Sequence, residues 1–237
     1  MTLDDALAGL EGRDLSADGS RPSGQWVAGV LRGLIAAGVL PPGTKLTEST
    51  LARALGVSRT VLREGFLALA AERMVNRVPH RGVFVAYPSL ADVQETFRVR
   101  RHLEPAALLW APASDADCNL LDAAVSRAQV ARTARDVPGM ADANQDFHAG
   151  LVALAGSTHM DRLMQQVLAE MRLLFHAVGS ETVFHAPFLE DNARILELLR
   201  IGERQEAADL MIRYLSLSEE QLLAALTDAV PATSGSA

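Results

Sequence analysis

Cysteine occurs once in these 237 residues, as Cys118. A single thiol excludes an internal disulfide and any cysteine-based zinc cluster. Cys118 falls in a helical pattern with no histidine close in sequence, so it reads as a structural thiol rather than a nucleophile. Lysine also occurs once, as Lys45, and nearly all positive charge is therefore arginine. Aromatic residues are scarce, at 5%. No run reaches the roughly 18 apolar residues of a membrane-spanning helix. The acidic start, MTLDDALAGLEGRDL, is unlike a secretory signal or a transit peptide, and we expect a soluble, cytoplasmic protein with no membrane partner. Motifs that carry common catalysis are missing too. There is no H-E-x-x-H, G-x-S-x-G, G-x-G-x-x-G or P-loop, so an enzyme is not expected.

What is present is apolar content of 49%, enough for a sizeable core, and an uneven charge distribution. The net charge of −7 by itself argues against nucleic acid, but it is not spread evenly. Residues 21–86 carry nine Arg and Lys against three Asp and Glu, whereas residues 87–237 carry 12 against 21. A basic module joined to an acidic one points to nucleic acid or another anionic surface.

Periodicity and chain breakers divide the sequence further. Residues 1–20 show no sustained period and are expected to form a disordered arm. Trp26, Val30, Leu31, Leu34 and Ile35 recur at helical spacing up to Gly38, followed by a Pro41-Pro42-Gly43 turn. A short helix fits Thr47 to Leu55, with Thr47 as its N-cap, and Gly56 breaks it. Ser58 caps a helix running to about Arg73, with Val61, Leu62, Phe66, Leu69 and Ala70 inside. Two short strands, Val75–Val78 and Gly82–Ala86, flank Pro79-His80-Arg81. Beyond Pro88 the pattern is helical, with spans near 89–112, 115–134, 137–155, 158–178, 187–201 and 203–228. The expected fold class is mainly α: an N-terminal winged helix-turn-helix with a small β-hairpin over residues 21–87, then an all-α antiparallel bundle over 88–230. Residues 231–237 should form a loose tail.

The stretch from Leu51 to Arg63 has helix-turn-helix grammar. Ala52 is small where two helices cross, and Gly56 sits at the sharp turn, where a Cβ would clash. The second helix should enter the major groove by its N-terminal turn. Ser58, Arg59 and Thr60 lie on that turn and Arg63 follows one turn later. Free N–H groups there favour phosphate, and Arg59 or Arg63 can pair with guanine O6 and N7. Arg81 and Gly82 at the hairpin tip can reach the minor groove or a phosphate, while His80 reads as a turn residue.

Residues 25–86 resemble the winged helix-turn-helix domain of GntR-family bacterial transcription regulators. The matching words are Gly38 to Glu48 (GVLPPGTKLTE), Leu51-Ala52 through Ser58-Arg59-Thr60, Arg63-Glu64, and Pro79 to Val85 (PHRGVFV). Val61-Leu62 and Gly65-Phe66 depart from the usual Pro-Val and Ala-Leu, and Gly65 costs about 1 kcal/mol of helix propensity. The resemblance implies that Ser58, Arg59, Thr60, Arg63 and Gly82 contact DNA.

In the bundle, Leu90, Val93, Phe97, Arg100, Glu104 and Ala107 form one stripe on the first helix. Two charges interrupt an apolar face, which calls either for an internal Arg–Glu pair or for a ligand. Met140, Asn144, Phe147, His148 and Leu151 share a face further on. His148 fits a hydrogen-bonded core histidine, and Asn144 one turn earlier equally fits a site. This region is similar to the FCD-type effector domain of the FadR subfamily, through Val99 to Pro105 (VRRHLEP), Asn144 to Leu151 (NQDFHAGL) and Ile195 to Glu203 (ILELLRIGE). In many such relatives a divalent metal is held by Asp or Asn, a His four residues later, and two further histidines. Those positions map to Asn144, His148, Asn192 and Tyr214. With one imidazole left, little or no metal is expected, Asn144 and His148 being the ligands if any persist. No other cofactor is expected.

The function read from this is a DNA-binding transcription regulator, a repressor by preference. It would bind an operator as a homodimer through contacts in the bundle, and be modulated by a small effector, a carboxylate, bound by Arg100, Asn144, His148, Asn192 and Tyr214. His176 is a further candidate. Rival readings are a metal-dependent enzyme and a protein-interaction scaffold built on the bundle. The effector, the operator and the sign of regulation are not written in the sequence.

Overall fold

In a computed structural model the chain is described over residues 22–112, 114–178 and 187–229. The expected N-terminal arm and C-terminal tail lie outside these residues, as does most of the break before residue 187. The described residues hold nine helices and a three-stranded sheet, in two compact units divided between Pro88 and Ser89. No described helix is long and apolar enough to cross a membrane.

The first unit contains α1 (Gly24–Ala36), β1 (Lys45–Leu46), α2 (Glu48–Ala54), α3 (Arg59–Ala71), β2 (Val75–Val78) and β3 (Gly82–Val85). Helix α1 crosses α3 so closely that only glycine fits at two contact points. A Cβ on Gly65 would lie 2.5 Å from Val27 Cγ1, and one on Gly24 would lie 2.5 Å from Glu64 Cβ. Gly65 is thus more than a loss of helix propensity: it lets Val27 dock. The same approach rotates the buried stripe of α1 onto Gly24, Val27, Ala28, Leu31 and Ile35. Trp26, Val30 and Leu34, expected inside, are half-buried instead. On α3 the buried residues are Leu62, Gly65, Phe66 and Leu69, with Val61 and Ala70 half-buried.

Between α2 and α3, Gly56 has φ +63 and nothing lies within 4 Å of a Cβ built on it. Its left-handed backbone, not a clash with a neighbour, is what calls for glycine. Ala54, not Ala52, is the buried alanine of α2, because the inward face of this short helix runs through Leu51, Ala54 and Leu55. Thr47 stands at the N-cap position of α2 but makes no side-chain capping bond. The sheet order is β1-β3-β2, antiparallel throughout, with Lys45 opposite Phe84 and Val75 opposite Val85. Strand β1 was not expected; two residues are too few to show an alternation, and β3 supplies its pairing.

The second unit contains α4 (Leu90–Trp110), α5 (Asp115–Ala134), α6 (Val137–Ala153), α7 (Thr158–Val178), α8 (Phe188–Arg200) and α9 (Arg204–Ala229). Ser89 and Asp92 form a capping box that starts α4. At its other end, Arg204 Nη1 donates to the carbonyls of Leu108 and Ala111, both at 2.8 Å, satisfying acceptors that the helix end leaves open. Helix α4 packs against α6, α7 and α9, while α5 packs against α6 and α8. Phe97, Phe147, Leu151, Phe188, Ile195, Met211 and Leu215 lie in the core between them. Cys118 is a buried free thiol in that core. The inner stripe of α4 holds Val93, Thr96, Phe97, Arg100, Glu104, Ala107 and Leu108; Leu90, at the first turn, is exposed.

Gly65→Ala should therefore lower the thermal midpoint of the first unit although alanine favours helix. The overpacking against Val27 is expected to cost roughly 1–3 kcal/mol, outweighing the gain in propensity. Thermal unfolding of the full chain checks this, and an unchanged or raised midpoint would show that α1 moves away without loss.

Candidate functional site

Two sets of predicted residues lie in the two units. In the first, Ser58 caps α3 by accepting from the Val61 N–H at 3.3 Å. The amides of the first helical turn have no partner within the helix and form an anion-attracting end. Arg59, Thr60 and Arg63 are exposed on this helix, and Arg81 and Gly82 are exposed at the β2–β3 turn. That turn closes through a hydrogen bond from the Arg81 N–H to the Val78 carbonyl at 3.0 Å. His80 takes φ 59 within it, a backbone position better suited to glycine or asparagine, and Gly82 follows at φ 110.

Arg63 has a partner that sequence reasoning missed. Its Nε donates to both Glu48 carboxylate oxygens at 3.1 Å and its Nη2 to Oε2 at 2.9 Å. These hydrogen bonds, with the Arg63 charge, hold the Glu48 carboxyl below the usual carboxylate range against a smaller effect of burial. The pair ties α3 to the first turn of α2 and fixes where the Arg63 guanidinium sits. The signal was an acid at the start of one helix and a base on the next, which has no fixed spacing in sequence.

In the second unit, Arg100, Asn144, His148, Asn192 and Tyr214 come together from α4, α6, α8 and α9, all buried. Glu104, 0% exposed, joins them as the hub. Arg100 Nε donates to Glu104 Oε1 at 2.7 Å, and His148 Nδ1 donates to Glu104 Oε2 at 2.7 Å. His148 Nε2 lies 2.9 Å from the Tyr214 hydroxyl, and Asn192 Nδ2 donates to Asn144 Oδ1 at 2.7 Å. With Nδ1 carrying the proton of a neutral ring, Nε2 accepts from the Tyr214 O–H. That hydroxyl also lies 3.2 Å from Asn144 Oδ1. The Arg–Glu spacing was visible in sequence, but not that His148 would share the same carboxylate.

Burial acts on all three ionisable partners of Arg100. It would raise the Glu104 pKa, yet the Arg100 charge and the contacts with His148 outweigh it and hold that carboxyl far below its ordinary value. Burial pushes His148 down; Glu104 opposes this and Arg100 adds to it. Burial pushes the Tyr214 phenol up. The folded site thus holds Arg100 as a cation, Glu104 as an anion and His148 and Tyr214 neutral. Two buried polar atoms of this group, Arg100 Nη2 and Asn192 Oδ1, have no hydrogen-bond partner among the described residues. Beside Arg100 lies a cavity of about 10 Å³, room for one water at most. His176 is half-buried and does not line it.

The four positions at which the resemblance implies a metal do not fit one. A metal ligand must offer a free lone pair. Here His148 Nε2 is taken by a phenol that burial keeps protonated, and Asn144 Oδ1 already accepts from the Asn192 amide nitrogen. Among the described residues no group of three or more His, Cys, Asp or Glu is placed to hold a metal ion.

The lowered His148 pKa has a consequence for stability. A group whose pKa falls on folding contributes stability that is fully present above its unfolded value, about 6.5 for histidine, and is lost as pH falls below it. Glu104 adds a second loss below about pH 4.3 on the same argument. The thermal midpoint should fall between pH 7.5 and 5.5. His148→Gln, whose amide can donate to Glu104 and accept from Tyr214, should flatten that fall. Identical pH profiles for the two proteins would remove His148 as the cause.

Residues 24–85 match the family described as bacterial regulatory proteins, gntR family, and residues 95–217 match the FCD domain. An uncharacterised HTH-type transcriptional regulator from the TAR-I ttuE-ttuC' intergenic region of Agrobacterium vitis is 34% identical over 154 residues, spanning 63% of this chain and 88% of that protein. The HTH-type transcriptional repressor RspR of Escherichia coli is 26% identical over 138 residues, spanning 57% and 60%. Among solved structures, a GntR transcriptional regulator from Rhodococcus sp. RHA1 superposes with a TM-score of 0.79 at 34% identity, covering 85% of this chain and 97% of that one. With its helix-turn-helix unit, its three-stranded wing and its helical second unit, the chain belongs to the gntR family of bacterial regulatory proteins and is a DNA-binding transcription regulator with an FCD domain.

Proposed function

We propose that this regulator binds a two-fold symmetric operator as a homodimer, and that a small carboxylate bound in its FCD domain modulates operator affinity. Repression is the proposed direction, in keeping with the E. coli relative named a repressor. One recognition helix offers few base contacts, and two-fold symmetry doubles them. Arg59, exposed on the first turn of α3, is assigned to a guanine. Ser58, Thr60 and the α3 amides are assigned to phosphate, with Arg81 and Gly82 approaching the groove from the wing. Arg63 acts from the position that Glu48 sets for it.

The observation that carries the effector half is Arg100. A buried guanidinium with an unpaired Nη2 needs an acceptor that the described protein does not supply. Without a metal to receive it, an incoming carboxylate would rest on Arg100 itself. We therefore propose that the site works free of divalent metal. Elemental analysis of purified protein should find far less than one zinc or nickel per chain, and one tightly held metal per chain would overturn this.

Fluorescence anisotropy with DNA from the promoter beside the regulator's own gene tests the operator half. Arg59→Ala should cost roughly 1–3 kcal/mol and relax preference at one base pair. About 6–10 phosphate contacts would weaken binding on the order of 10³–10⁵-fold between 50 and 200 mM salt. A near-flat salt response, or an Arg59→Ala protein with unchanged affinity and preference, would exclude this surface.

A further inference from the structure

Arg100 presents five N–H donors in a planar fork. Its Nε side is committed to Glu104 at 2.7 Å. On the opposite edge, Nη1 reaches only the Met171 sulfur at 3.9 Å, a weak acceptor, and Nη2 reaches nothing among the described residues. That edge is the one that takes a carboxylate through two parallel hydrogen bonds. The residue is 3% exposed, so solvent does not complete it. The cavity of about 10 Å³ lies along Arg100 and is walled by Leu168, Met171, Phe175, Tyr214 and Ser218.

Most of this wall cannot move cheaply. Tyr214 is held by His148, and Gln145, also at the cavity, is tied to the Leu168 carbonyl at 3.0 Å. Met171 is different. Its unbranched side chain has three rotatable bonds and holds its place by packing and one weak sulfur contact.

We propose that the terminal nitrogens of Arg100 dock a small monocarboxylate, and that Met171 is the plug which that acid displaces. The inference rests on the effector reading above and specifies its ligand class. Charge and lining both select a single head group. Among the described residues lining the cavity Arg100 is the one arginine or lysine, His148 being committed to Glu104 and Tyr214, and the other edge of Arg100 already serves Glu104. A second carboxylate on the ligand would be buried with no donor pair to meet it. Leu168 and Phe175 instead offer an apolar wall to a short aliphatic or aromatic tail. Swinging Met171 away both frees the Arg100 edge and enlarges a cavity that otherwise has room for one water at most.

The test uses the full-length regulator with methyl-¹³C methionine, in EDTA and at constant ionic strength. Butyrate and benzoate are the probes, with succinate and citrate for comparison. The Met171 methyl resonance is identified by its loss in Met171→Leu. Expected are a saturable shift of that resonance with butyrate or benzoate, and at least tenfold weaker effects of succinate and citrate. Met171→Ala, with the plug removed, should bind the same monocarboxylates about tenfold more tightly. If neither wild type nor Met171→Ala shows saturable binding, the docking point is wrong. Binding that is unchanged or weaker in Met171→Ala overturns the plug, and tighter binding of succinate or citrate overturns the single head group. The wild-type methyl signal stands as a test even if the alanine variant fails to fold. Operator affinity, measured with and without butyrate or benzoate, separates the two proposals: saturable docking without any change in operator affinity leaves the docking site and removes its effector role.

Discussion

The Glu104 carboxylate, enclosed completely in the FCD domain, sets a demand that the surrounding polar residues meet. A buried anion left alone would be neutralised or would unfold its surroundings. Arg100, one turn earlier on the same helix, supplies the charge, and His148 from α6 supplies a second donor. That commitment fixes the His148 tautomer, which in turn directs the Tyr214 proton from α9 toward it. Removing one member of such a buried set costs about 3–5 kcal/mol, because the remaining charge is stranded. A structural keystone and a candidate ligand site therefore share residues, and variants of Glu104 report on both at once.

The DNA-binding unit solves the opposite problem. Its polar residues face water, and its core depends on two helices meeting without side chains between them at Gly24 and Gly65. The basic surplus of residues 21–86 is also more ordered than a simple count suggests. Arg32 is paired with Glu72 through two hydrogen bonds of 2.7 and 2.6 Å, and Arg63 with Glu48. Each pair is neutral, so the net excess is unchanged, but it is concentrated on the remaining basic residues. The Arg63–Glu48 pair is partly exposed and the Arg32–Glu72 pair half-buried, and pairs of this kind near the surface add little stability. Their effect is to hold Arg32 in place on α1 and Arg63 in place on α3.

Much of this was legible in order along the chain. Helical spacing with glycine and proline breaks located the described helices to within a few residues, and Ser58 marked the start of the recognition helix. The charged interruption at Arg100 and Glu104 and the Asn144–His148 step marked a buried polar cluster, because polar residues on an apolar face must find partners inside. Strand β1 was not legible, since two residues carry no period. Nor was the stripe of α1, where a glycine contact displaced the larger side chains that periodicity favours. Gly56 was identified correctly as a glycine position, the steric conflict being with its own left-handed backbone rather than with a packed neighbour.

The local pattern alone determined the class of the fold, the helix-turn-helix grammar and, outside α1, most of the residues that would turn inward. Those properties depend on neighbours within about one helical turn, and a sequence states such neighbours directly. Only the tertiary structure decided which inward residues meet. Glu104 and His148 are 44 positions apart and His148 and Tyr214 are 66 apart, yet each pair is within hydrogen-bond reach. Hydrogen bonds act over about 3 Å and are set by how four helices pack, so their partners are invisible to spacing along one chain. For the same reason packing decided that Arg100 keeps one edge without a strong acceptor, and that a methionine from α7 lies against it.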